Sequence, residues 1–418
     1  MSAMSGEILF IAHRIPFPPN RGDKVRSHHI VRRLAQLAPV HVACFADDEA
    51  DFAEEVELAA LAQSHCLIRR SKPLVLAGLQ ALASGRPVSV TAFDDQRLGD
   101  YVRKLVATGR IGTIYVYSGQ VGHFIPADFK GRVIVDFVDV DSAKFAAYAH
   151  DKGDVRGWID AREARLLRDE EARLAARADV SLLVSREEAR LFEDRLTPDE
   201  RRHADVRPLR NGIDSGGFDP ATVDPEPRMA ACGAPRLIFT GQMDYAPNVA
   251  AGLRAIRRIM PQVRAALPGA SLHVVGRNPT AELVAHDGRD GVHVWGRVDD
   301  IRGWIKGADI ALIPLEIARG IQNKVLEAMA MELPVVLSPQ AATGIDAVPG
   351  HHFRVADSDE AMAAAVIELA RAQGEARAMG RAARRFVVEQ QSWTGTLAPL
   401  AEIVRGGDAA RPVTCNAA

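Results

Sequence analysis

The sequence predicts an α/β protein of two doubly wound parallel-sheet domains. Three observations carry this. Short apolar runs alternate with longer stretches of helical period, the rhythm of consecutive βαβ units. That rhythm runs from Ile8 to Val184, breaks between residues 198 and 235, and restarts at Arg236. Three strands of the second half end in glycine, at Gly241, Gly276 and Gly296, so their C-terminal edges converge on the crevice where open α/β sheets bind ligands. A chain of 418 residues also exceeds one typical domain, which makes two lobes with separate cores the expectation.

The elements follow in order. The first strand spans 8–12; a loop with Pro16, Pro18, Pro19 and Gly22 leads into a helical pattern over 25–37 that stops before Pro39. Strands at 40–45 and 66–69 flank an acidic helix over 51–61. Further strands fall at 113–117, 133–137 and 180–184, the last after a long charged helix over 155–178. Residues 198–235 are rich in Pro, Gly and Asp and read as an interdomain connection. Beyond them come strands at 237–240, 271–275, 292–295 and 310–314, with helices at 249–264 and 300–306 between them. A strand near 352–355, helices at 357–372 and 374–390, and a last helix over 393–404 complete the order; after Arg405 a frayed tail is expected. These divisions give domains of 1–207 and 208–390, a C-terminal helix over 391–405, and a flexible tail over 406–418.

Composition removes several function classes. A net charge of -2 argues against bulk electrostatic binding to nucleic acid. Cys44, Cys66, Cys232 and Cys415 are scattered without a C-x-x-C or a close histidine, so no zinc site or disulfide framework is expected and a reducing cytoplasm is the simplest setting. The first apolar run is too short and lacks a preceding basic region, so it reads as a strand rather than a signal peptide. No stretch approaches a membrane span, which limits membrane contact to a peripheral one on the inner face.

The richest stretch is 319–338, R-G-I-Q-N-K-V-L-E-A-M-A-M-E-L-P-V-V-L-S. It reads as a glycine loop, a short buried helix and a buried strand. Lys324 and Glu327 are three apart and share one helical face, and Gly320 lets a ligand approach the helix N-terminus, where amides and the helix dipole favour an anion. The plain alternative is a solvated ion pair on a packed helix.

The second half resembles the family 4 glycosyltransferases of the GT-B fold, through L-I-F-T-G-Q-M-D-Y-A-P-N at 237–248, L-H-V-V-G-R at 272–277, V-H-V-W-G-R-V-D-D at 292–300, N-G-I-D at 211–214 and above all K-V-L-E-A-M-A-M-E-L-P-V-V at 324–336. More narrowly, P-F-P-P-N-R-G-D-K-V-R-S near the start and V-D-F-V-D-V-D-S-A-K-F at 135–145 resemble the sugar transferases of bacterial exosortase exopolysaccharide systems. The resemblance implies two Rossmann-like domains facing across a cleft, the first on the acceptor side and the second binding the nucleotide sugar, with the C-terminal helix over 391–405 returning to pack on the first. It implies a retaining, metal-independent transferase with a UDP- or GDP-sugar as donor substrate, no permanently bound cofactor, and a glycan or lipid-linked glycan as acceptor. Two other readings stay open: a nucleotide-sugar epimerase of the same fold, and a catalytically degenerate partner subunit.

On that resemblance Lys324 and the backbone at Gly320 and Ile321 face the diphosphate, and Glu327 accepts from both ribose hydroxyls. The first glutamate of the family motif is replaced by Arg319, a phosphate ligand or a contact for an acidic sugar. Asn248 stands near the position of a phosphate-binding lysine, beside Gly241, and the donor base is read by backbone near Gly296 and Val298. In the first domain Gly22 brings amides to the diphosphate, amid Arg14, Arg21, Lys24, Arg26, Arg32 and Arg33 with only Asp23 opposing; phosphate contact by Arg21 or Lys24, attraction to anionic lipid and a plain solvated face all remain readings. Asp139 and Asp141 stand where relatives often place a histidine; they read as acceptor-facing carboxylates or, less simply, as a D-x-D metal signature. His123 is a further candidate. Glu332 occupies a helix-ending position that favours glycine, so a left-handed backbone there carries strain of roughly 1 kcal/mol.

Overall fold

The computed structural model describes residues 6–150, 155–318 and 320–406. They form two compact units: one runs to Asn211 and resumes at Thr396, and the other is Gly212–Gly395.

Seven parallel strands build the first sheet: β1 (Glu7–Ala12), β2 (Val40–Ala46), β3 (Ser64–Arg69), β4 (Ile111–Tyr117), β5 (Arg132–Val138), β6 (Val180–Leu183) and β7 (Val206–Pro208), in the order β3-β2-β1-β4-β5-β6-β7. The order reverses between β1 and β4. The central strands are buried along nearly their whole length, which is why they read as unbroken apolar runs instead of alternating ones. The region after 198 is not wholly a connection: Pro198–His203 is a helix closed by a capping box between Thr197 and Glu200, and β7 pairs with β6. The last helix, Leu400–Arg405, packs on the helix Gly22–Ala35 of this unit, and Arg132 Nε donates to the Ile403 carbonyl at 2.6 Å.

The second sheet holds β8 (Arg236–Thr240), β9 (Ser271–Val275), β10 (Val292–Gly296), β11 (Ile310–Ile313), β12 (Val335–Leu337) and β13 (Arg354–Val355), all parallel, in the order β10-β9-β8-β11-β12-β13. Its reversal falls between β8 and β11. The long helix expected over 249–264 is three segments: Ala246–Arg254, a π-helical turn Ala255–Ile259 and Met260–Ala266, the last with Pro261 in its first turn. A proline cannot donate to the preceding turn, so the ladder widens ahead of it.

Candidate functional site

The site in the second unit grows from the reversal point. β8 ends at Thr240, just before Gly241, and β11 leads, through the loop 314–322, into the helix Asn323–Ala330. Side chains from both arms meet there. Lys324 Nζ donates to Asn248 Oδ1 at 2.6 Å and sits 4.7 Å from the centre of the Phe239 ring. Asn248 is itself buried and fixed, because its Nδ2 donates to the Gln242 carbonyl at 2.9 Å. A Cβ at Gly241 would lie 2.9 Å from both Asn248 Nδ2 and Lys324 Nζ, so only glycine leaves room for this arrangement.

Burial pushes the Lys324 ammonium down to about 8, and the nearby Glu327 carboxylate only partly offsets that. Burial pushes Glu327 up from its ordinary value, against the pull of Lys324. The Glu327 side chain makes no hydrogen bond or ion pair with any described residue. The helix cap, Gln322, gives no side-chain bond to the first turn, and a Cβ at Gly320, whose φ is 64°, would meet nothing. The result is an uncapped helix N-terminus, a half-desolvated ammonium with donors to spare and a carboxylate with open acceptor sites, beside open space. That set can hold an anion next to a pair of hydroxyls.

The other predicted residues fall around it unevenly. The glycine rim is a hydrogen-bonded chain: the Gly241 amide donates to the Val275 carbonyl and the Gly276 amide to the Gly296 carbonyl at 2.9 Å. Gly296 is left-handed at φ 66°. Val298 and Ile321 turn their side chains onto the hydrophobic core, which leaves only their backbones for a ligand. Arg319 lies outside the described residues, as does the expected tail beyond Gly406. Phe239, beneath the lysine, escaped the sequence reading because a strand phenylalanine looks like core; its place directly before the Thr240-Gly241 strand end was the available signal.

In the first unit two expectations change. Gly22 is the first residue of the helix Gly22–Ala35 rather than part of the loop, though space beside it is open and Arg21 supplies no side-chain cap. The basic cluster is not opposed by Asp23 alone. Arg14 pairs with Asp23 and, at 2.6 Å, with Asp47; buried Lys24 pairs with Asp51; buried Arg26 pairs with Asp136 at 2.9 Å and donates to Asn211. Lys24 is therefore no phosphate ligand, since only 2% of it is exposed.

Asp139 and Asp141 both accept from Lys144 Nζ, at 2.8 and 3.2 Å, so each carboxylate has a cation within its own segment. They follow a strained corner: Val138 has φ 70°, a genuine outlier for a β-branched residue. The corner is pinned by carboxylates, with buried Asp136 accepting from the Val138 amide, half-buried Glu188 from the Val140 amide and buried Glu171 from Ser142. No group of three or more His, Cys, Asp or Glu among the described residues could hold a metal ion. His123 lines a groove of about 1290 Å³ with Arg86, Asp94 and Arg173, and burial pushes its imidazole down to about 4, so it is neutral there. The sequence reading passed over His13, at the end of β1, whose ring stacks on Tyr117 and lies 3.8 Å from Asp23; that ring and, after it, the Arg14 guanidinium hold Asp23 far below the usual carboxylate range.

Comparison with known proteins bears on the fold. Structural neighbours span nearly the whole chain: Anabaena HepE crystallised with UDP and glucose covers 96% of this chain and 100% of its own at a TM-score of 0.56 and 14% identity, and WaaG, a glycosyltransferase involved in lipopolysaccharide biosynthesis, does so at 0.53 and 15%. The fold is GT-B. Within this GT-B chain residues 234–372 match the family model described as Glycosyl transferases group 1. A GDP-mannose-dependent monoacylated alpha-(1-6)-phosphatidylinositol monomannoside mannosyltransferase of Corynebacterium glutamicum is 30% identical over 211 residues, 46% of this chain and 54% of that protein. Its Mycobacterium tuberculosis counterpart, named for alpha-(1-6)-phosphatidylinositol monomannoside, is 32% identical over 167 residues, 36% and 43%. The GT-B chain thus spans about half the length of the curated relatives it matches.

Proposed function

We propose that the chain is a retaining, metal-independent glycosyltransferase that moves a sugar from a UDP- or GDP-sugar to a lipid-linked glycan or a growing exopolysaccharide. The observation that carries this reading is the uncapped start of Asn323–Ala330, where half-desolvated Lys324 stands one turn from unpartnered Glu327. Breaking the bond to the anomeric carbon leaves a diphosphate whose charge grows in the transition state. An ammonium and amides already in place stabilise that charge without rearranging. Glu327 takes the ribose hydroxyls, and Gly241, Asn248, Gly296 and Val298 shape the nucleotide's surroundings. Retention of configuration needs no protein nucleophile here, because the departing phosphate accepts the acceptor's proton while the protein positions both.

The relatives named as GDP-mannose-dependent enzymes acting on phosphatidylinositol mannosides support a lipid-linked acceptor, and the neighbour holding UDP supports a nucleotide donor. The N-terminal motif at 16–27 and the 135–145 stretch support placement among exosortase-associated sugar transferases. In this reading Gly212–Gly395 binds the donor, the other unit receives the acceptor through Gly22, Asp139 and Asp141, Arg319 takes a phosphate or acidic sugar, and the enzyme works peripherally at the cytoplasmic face of the membrane. No helix among the described residues is long and apolar enough to cross a membrane.

Calorimetric titration with UDP-, GDP- and dTDP-sugars tests the proposal. Binding of at least one, abolished in Lys324→Ala, is expected; no binding by any sinks it. Incubation with the bound donor and no acceptor separates an epimerase, which would release an epimer.

A further inference from the structure

The helix Leu74–Ser84 is packed inside out. Its sequence, L-V-L-A-G-L-Q-A-L-A-S, carries no charge, yet the residues turned to the core are Ala77 and Ala81, both fully buried. The large side chains point away: Val75 is 77% exposed, Leu76 54%, Leu79 61% and Leu82 60%. A helix stabilised by its own unit does the reverse, burying leucine and exposing small or polar residues, since each buried leucine is worth about 1.5–3 kcal/mol. Four large aliphatic residues left outward on one helix mark a surface made for another apolar phase.

Its neighbours say which phase. The helix Val155–Arg177 runs alongside, with Arg162 donating to the Ala81 carbonyl at 2.9 Å. One turn before Arg162 on the same stripe stands Trp158, 64% exposed beside Ile159, and one turn after it stands exposed Arg165. Arg162, Arg165 and Lys72 have no carboxylate partner among the described residues, so their charges are not neutralised locally. Aliphatic side chains facing out, an indole at their edge and cations without counter-ions form the order of chemistry met on passing from acyl chains through the interface to anionic headgroups.

We propose that the Leu74–Ser84 helix, with Trp158, Arg162 and Arg165, docks this protein on an anionic lipid bilayer. This rests on the lipid-linked acceptor of the proposed function for its purpose, though not for its evidence. It places the membrane-facing surface on a different helix from the basic Gly22–Ala35, of whose cations Lys24 and Arg26 are neutralised by Asp51 and Asp136 while Arg32 and Arg33 have no carboxylate partner among the described residues. The leucines enter the acyl boundary, Trp158 sits at headgroup level and the arginines reach phosphate.

The test is flotation of the full chain with vesicles of phosphatidylglycerol and phosphatidylcholine, against phosphatidylcholine alone. Binding to the anionic vesicles is expected, weaker without phosphatidylglycerol. Leu76→Ser/Leu79→Ser/Leu82→Ser should lower the partition coefficient by about 100-fold or more, because three leucines lose their transfer free energy. Its unfolding temperature should not fall, since all three are exposed already. Arg165→Gln should reduce the preference for anionic vesicles and leave folding unchanged. Wild-type protein that ignores anionic vesicles, or a triple variant that floats as well as wild type, overturns the proposal. So does a wild-type dimer that becomes monomeric in the triple variant without any vesicle binding, which would make this face a contact between copies. Flotation needs no nucleotide, so a failed donor titration leaves this result readable by itself.

Discussion

Lys324 is the residue on which most depends, and its acidity makes that measurable. With its ammonium near 8, the site loses its cation as pH rises through that value. Anion binding requires the protonated form, so nucleotide affinity should fall about tenfold per pH unit above the midpoint. Glu327 holds the lysine's proton on; Glu327→Gln should therefore move the midpoint to lower pH, and should weaken nucleotide binding by roughly tenfold through the lost second acceptor. Titrations between pH 6 and 10 on both proteins check this, and a midpoint that stays put or rises contradicts it. Lys324 and Glu327 were legible because three-residue spacing on one short helix is local. Asn248 was legible only through the family resemblance and Phe239 not at all, since Lys324, which both of them meet, lies 76 residues beyond Asn248 in the chain. The basic cluster was misread for the same reason: Asp47, Asp51 and Asp136 arrive from other segments, so sequence shows the cations without their counter-ions.

Among the elements, Asn323–Ala330 ends as the sequence suggested it could. Glu332 is left-handed at φ 58°, and the amides of Glu332 and Leu333 return to the carbonyls of Met329 and Ala328, a Schellman closure without its usual glycine. Glu332→Gly should stabilise the second unit by about 1 kcal/mol, read as a rise in its denaturation midpoint. Gly380→Ala should do the opposite by roughly 1–3 kcal/mol, because the new methyl would fall 2.0 Å from the Glu332 carbonyl oxygen. Another element carries a pH dependence. Glu171 accepts from the Ser142 amide and hydroxyl at the start of Asp141–His150, and burial pushes it to about 7 against an ordinary 4.5. The native state then keeps a proton the unfolded chain has shed, so stability declines as pH rises from 4.5 to about 7. Glu171→Gln should flatten that slope, seen by denaturant midpoints at pH 5 and 7.5. Strands were legible wherever both faces are buried; β7 was not, being three half-buried residues in a polar stretch. The Leu74–Ser84 helix drew no notice because its apolar pattern has no polar face to set a period.

At the scale of the molecule, two units with separate cores should unfold in separate calorimetric transitions, and nucleotide should raise only the one belonging to Gly212–Gly395, by about 2.7 kcal/mol at a hundredfold excess over Kd. A shift confined to the other transition would place the donor elsewhere. The two-sheet architecture was readable from rhythm alone, whereas the return of the last helix to the first unit was expected only from the family resemblance, because nothing local in L-A-E-I-V-R names the surface it covers. That ownership has a consequence for how the protein is made. The first unit is written in two pieces with the whole of the second between them, so a ribosome finishing Asn211 has not yet supplied Leu400, Ile403 and Val404, which are buried when folding is complete. At about 5–20 residues per second the delay is on the order of ten seconds or more. The unit begun first is thus the unit completed last, and for that interval its unfinished apolar seam beside Arg132 is open to chaperones.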